Sequence, residues 1–95
     1  MNEDATLRLD VWLWRARFFK SRALSTAFVR GHGVRVLHLG LMRRTDKPGA
    51  LVAVGDVVTF GKAGRIYSVE VLDLGERRGP ADEARTLYRT AEAET

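Results

Sequence analysis

Ninety-five residues, 45% of them apolar and 29% charged, make one domain around one modest core. The chain has no cysteine, which excludes disulfides, zinc–thiolate sites and thiol chemistry. Its net charge of +4 is uneven, with ten Lys/Arg against four Asp/Glu in residues 1–50 and six against eight in residues 51–95. Arginine outnumbers lysine thirteen to three, a bias that suits bidentate contact with phosphate. The basic half therefore points to a polyanionic partner. No apolar run approaches the roughly 20 residues that cross a bilayer, and Met1-Asn2-Glu3-Asp4 is acidic where a signal peptide would be basic. A soluble, cytoplasmic monomer with no membrane partner is expected.

Residues 1–7 read as a disordered tail. From Arg8 to Phe19, the apolar positions Leu9, Trp12, Leu13, Ala16 and Phe19 keep helical spacing. Ser21 is a good N-cap for a second helix over Arg22 to Arg30, which Gly31 should stop. Gly31-His32-Gly33 reads as a turn, and Val34-Arg35-Val36 alternates as a strand does. Residues 37–50, with Arg43-Arg44, Asp46, Pro48 and Gly49, read as a loop. Val54-Gly55-Asp56-Val57 enters a strand running through Phe60, and Arg65 to Leu72 is strongly β-prone. Pro80 then opens a helix to about Thr90, with Asp82 and Glu83 suitably placed in its first turn. The expected class is α+β: an N-terminal helical hairpin packed on a small antiparallel sheet, with a C-terminal helical tail. The boundaries fall at 8–74 for the body and 75–95 for a helical extension.

Little here suggests catalysis. No glycine loop has nucleotide-binding spacing. His32 and His38 have no acidic residue at ligand spacing, so no metal is expected. Asp10, in a first helical turn, and Asp56, in a Gly-Asp turn, each have a structural explanation. Neither enzymatic activity nor a cofactor is expected.

Arg8-Leu9-Asp10, Leu13, Phe18, Ser21-Arg22, Phe28-Val29, Gly31, Val34-Arg35-Val36 and Val54-Gly55-Asp56 follow one another in a recognisable order. Over residues 8–60 that series resembles the RNA-binding domain named after ribosomal protein S-four. Trp12 to Arg22 and Leu74 to Ala81 also resemble the ribosome-associated fifteen-kilodalton heat-shock protein family. That resemblance implies a binder of structured ribosomal RNA. Its partner would be the large ribosomal subunit carrying stalled peptidyl-tRNA, in ribosome rescue or quality control under stress. One stretch departs from the pattern: where the family has an Asn-Gly hairpin turn, Val36 is followed here by Leu37-His38.

Helical spacing and the motif match together predict one cationic face built from Arg8, Arg15, Lys20, Arg22, Arg30 and Arg35. Trp14 is a candidate for stacking on a base, and Phe18 for the core. Ser21 is chiefly a cap, with a secondary phosphate contact. If such a face neutralised about five phosphates, log affinity would fall against log salt with a slope near −3.5 to −4.5. An RNA-binding adaptor for a partner enzyme and a DNA-binding protein are the alternatives.

Overall fold

The structure is a computed structural model and describes residues 5–91. Residues 1–4 of the expected tail lie outside it, while Leu7–Arg8 form a short strand, β1. β1 pairs antiparallel with β4, Leu51–Val52. Helix α1, Leu9–Arg15, follows directly; its first amides donate to the carbonyls of Ala50 and Pro48.

α1 ends four residues before the sequence periodicity does. Arg17 takes a φ of 66°, its N–H donating to the Trp14 carbonyl, and the Phe18 N–H reaches back to Leu13. This is a Schellman ending with arginine where glycine is usual. It turns Phe18 into an aromatic cluster with Trp12, Phe60, Tyr67 and Tyr88. Phe18 is core-packed, as its place in the motif implies.

Helix α2, Arg22–His32, is capped by Ser21, whose hydroxyl accepts from the Leu24 N–H. It runs through Gly31 and stops at Gly33. Its fully buried residues, Ser25 and Val29, face α1 and the sheet, with Ser25 Oγ donating to the Asp10 carbonyl at 2.8 Å.

The main sheet is antiparallel throughout, in the order β3-β2-β5-β6-β7. Its strands are β2 Val34–His38, β3 Leu41–Thr45, β5 Val57–Lys62, β6 Arg65–Val71 and β7 Tyr88–Thr90. Val34, Val36, Val58, Phe60, Val69 and Val71 point to one side and close a single core with Leu9, Trp12, Leu13 and Val29. The alternate residues face away from the helices.

Two further expectations change. Residues 37–50 are not a plain loop, because β2 and β3 form a hairpin through Leu39-Gly40, with φ of 50° and 82°. This is the backbone that Asn-Gly would adopt. Leu39 is 88% exposed, so its left-handed conformation is offset by no packing. Such a conformation costs an ordinary L-residue roughly 1–2 kcal/mol. Leu39→Asn is therefore expected to raise stability by about 0.5–1 kcal/mol, or about 3–6 °C in Tm by circular dichroism. An unchanged or lower Tm would contradict the strain.

The C-terminal helix is also shorter than the sequence suggests. α3 spans only Ala81–Ala84; a 3-10 turn follows at Arg85–Leu87, and the chain then joins the sheet as β7. Leu87 is buried, its carbonyl accepts from Leu72 and Asp73, and Tyr88 packs on Phe18. Pairing and aromatic contact outweigh helix propensity here. Residues 75–91 are thus built into the body, and residues 92–95 of the expected extension lie outside the described residues.

Candidate nucleic-acid interface

The predicted basic residues fall into separate groups rather than one patch. Arg15 is half-buried and committed to backbone: its Nη1 donates to the carbonyls of Gly75 at 2.6 Å and Leu74 at 3.4 Å, and its Nε is buried. Arg17 donates to Gly79, while Arg78 returns bonds to the carbonyls of Trp14 and Phe19. These guanidinium groups fasten the end of α1 to residues 74–79, where exposed helix-end carbonyls attract cations. The expectation that Arg15 belongs to an open cationic face is corrected on this ground. Trp14, half-buried beside this seam, has part of its ring surface in solvent.

Arg8 is partly committed. Its fork grips Asp10 through two 3.0 Å bonds, and its side chain is 47% exposed. Asp10 is wholly buried and also accepts from the Thr26 hydroxyl at 2.7 Å. Burial pushes its carboxyl up, but the hydrogen bonds from Arg8 and Thr26, with the charges of Arg8 and Arg22, hold it below the usual carboxylate range. Asp10 therefore does more than favour a helix dipole: it draws the starts of α1 and α2 together.

Lys20, Arg22 and Arg30 are exposed, and among the described residues none is paired with a carboxylate. Arg22, Thr26 and Arg30 recur every fourth residue, so they lie along one side of α2. Lys20 precedes the cap, and the first turn of α2 holds no acidic residue. Two cations beside an acid-free helix N-terminus suit an anion.

Arg35 lies elsewhere. Val34 and Val36 enter the core, so Arg35 faces the helix-free side of the sheet, directly opposite Arg44 of β3. Arg44, first read as part of a solvated loop, bonds the His32 carbonyl at the end of α2 at 3.0 Å. β3 was hidden in the sequence because it is an edge strand, exposed over four of its five residues and without alternation.

His38 and Asp56, unconnected in sequence, meet at 2.5 Å. Asp56 is buried and also accepts from the Ala53 N–H, closing the turn between β4 and β5. Among the described residues, no three His, Asp or Glu side chains gather as metal ligands would, and no helix is long and apolar enough to cross a membrane.

No family model matches the chain. It is 39% identical over 88 residues to heat shock protein 15 of Escherichia coli K12 and 37% identical over 87 residues to the heat shock protein 15 homolog of Aeromonas salmonicida. Each match covers 92% of this chain and 62% of the relative's length, so the chain spans less than two thirds of either. A solved structure of Vibrio cholerae heat shock protein 15, described as trimeric, is similar with a TM-score of 0.77 and 32% identity. That match covers 92% of this chain and 83% of the other.

Proposed function

The chain belongs to the heat shock protein 15 family, and from that premise we propose that it is a non-enzymatic, cytoplasmic RNA-binding protein. Residues 8–60 work as the S-four-type RNA-binding unit that the sequence resembles. The target is structured ribosomal RNA on a large subunit still carrying stalled peptidyl-tRNA, in ribosome quality control under stress. The observation behind this reading is the set of exposed cations Lys20, Arg22 and Arg30 along α2 and its N-terminus, none of them in an ion pair among the described residues. Arg8, half-exposed beyond its ion pair, adds a fourth. Ser21 contributes mainly by shaping the helix start, and Trp14 offers a partly open ring for stacking. Contacts of this kind give affinity and position, while RNA shape and splayed bases supply discrimination.

Four cations on the helix side imply a shallower salt dependence than six. Log affinity for a ribosomal RNA helix should fall against log salt with a slope of about −3 to −3.5. Fluorescence anisotropy across a salt series measures this, and a flat line would end the proposal. Equal affinity for duplex DNA in the same assay would favour the DNA-binding alternative.

A second reading has its own observation. Leu39, Leu41 and Met42 are 88%, 77% and 56% exposed at the tip of the β2–β3 hairpin, an apolar surface suited to a protein contact. It would serve an adaptor, or a self-association like that of the trimeric Vibrio relative, in place of the monomer expected from sequence. Sedimentation of the purified chain, and pull-down from nuclease-treated lysate, separate these outcomes.

A further inference from the structure

A second basic feature lies away from the α2 N-terminus. On the helix-free face of the sheet, Arg35 and Arg44 stand directly opposite each other on β2 and β3. Like charges in that position repel. Among the described residues neither meets a carboxylate that would relieve them.

Arg44 is also held in place. Its guanidinium lies against Gly33, where a Cβ would sit 2.6 Å from Nη2, so only glycine admits it there. One of its N–H groups is used on the His32 carbonyl, out of the five that a guanidinium carries. The His32 ring is fixed in turn by stacking on Phe28, with centroids 4.6 Å apart and planes 11° apart. These groups line a cleft of about 300 Å³ whose other side includes Thr59 and Ile66. Ile66 is 76% exposed there and leaves a flat apolar surface over Gly61. Two unneutralised guanidinium groups beside an apolar wall, one of them already ordered, make a receptor for an anion attached to an uncharged body.

We infer that this cleft binds the phosphate group of a ribonucleotide, with Arg35 and Arg44 as the paired anion receptors and Ile66 supporting the sugar or base. The phosphate can come from within an RNA strand or from a free mononucleotide; the chemistry is shared. The site is separate from the α2 N-terminus and does not depend on RNA binding there.

The test uses the double variant Arg35→Ala/Arg44→Ala of the full chain. Both residues are exposed, and the repulsion relieved offsets the lost Arg44 bond to the His32 carbonyl, so the melting temperature should hold within a few degrees. Anisotropy with a labelled RNA hairpin and NMR titration with adenosine monophosphate are run in parallel on both proteins. If the phosphate belongs to an RNA strand, the wild-type slope is steeper than the helix-side cations alone give, and the double variant loses affinity for the hairpin about tenfold while its slope flattens by about 1.5, back to roughly −3 to −3.5. If it belongs to a mononucleotide, adenosine monophosphate shifts the Gly33 and Thr59 amides of the wild type and not of the double variant, whatever happens to the hairpin. Either result supports the site. Unchanged hairpin affinity and salt slope, with no nucleotide-dependent shift at Gly33 or Thr59, overturns it. A Lys20→Ala/Arg22→Ala variant in the same assays keeps the two faces apart: full hairpin affinity there would fail the helix-side reading while leaving this one standing.

Discussion

Asp10→Ala is expected to destabilise the fold by about 2–3 kcal/mol, a large share of the roughly 5–15 kcal/mol available to a small domain. The carboxylate is fully buried and takes bonds from Arg8 and Thr26; its removal leaves Arg8 without its acceptor, while the Thr26 hydroxyl keeps the Arg22 carbonyl. Breaking a wholly buried pair costs about 3–5 kcal/mol. Arg8 is 47% exposed and can rehydrate, which sets the loss below that range. The residue also carries a pH signature. Its carboxyl is held below the ordinary value in the folded chain. Its contribution is therefore fully present above the unfolded value near 3.9 and is lost as pH falls through the folded one. Urea unfolding should show wild-type stability dropping below about pH 4 with a steeper limb than Asp10→Asn shows. Parallel acid limbs for the two proteins would mean that Asp10 does not organise the helix junction.

Lys20→Glu combined with Arg22→Glu is expected to weaken binding to a ribosomal RNA helix about 100-fold near 0.1 M salt, or about 2.7 kcal/mol. Each substitution removes a cation and adds a repelling charge beside the amides that open α2. The fold should largely survive, because an acid in a first helical turn favours the helix dipole. Arg85→Glu is the control for charge alone: Arg85 is 73% exposed on the 3-10 turn after α3, apart from the α2 N-terminus. It should change affinity less than twofold. Equal losses from both variants would reduce the interaction to bulk attraction.

Local properties of the chain made much of the fold legible. Ser21 caps α2 because a short hydroxyl on an extended residue satisfies an orphan amide, and that can be read from sequence. Alternation exposed β2, and β-prone runs exposed β5 and β6. What stayed hidden depends on distant partners. Arg17 in a left-handed conformation ends α1, held by a carbonyl from Gly79. Tyr88 enters a strand because β6 and Phe18 await it. The candidate site was legible in the same limited sense. Charge density singled out the first half of the chain, and Lys20, Arg22 and Arg30 do stand exposed there. Arginine content says nothing, however, of which guanidinium groups meet solvent and which meet a backbone oxygen. Arg15 is spent on Gly75, and Arg35 is turned to the opposite side of the sheet by simple strand alternation.

The seam between α1 and residues 73–79 has a consequence for a chain still being made. Its hydrogen bonds join positions 59 to 64 residues apart, so Arg15 and Arg17 are translated long before the carbonyls that receive them. Until residue 79 emerges, both remain loose positive groups on a nascent polyelectrolyte, free to stick to any nucleic acid nearby. Emergence of residues 74–79 ties both groups to backbone carbonyls and fixes where their charges lie.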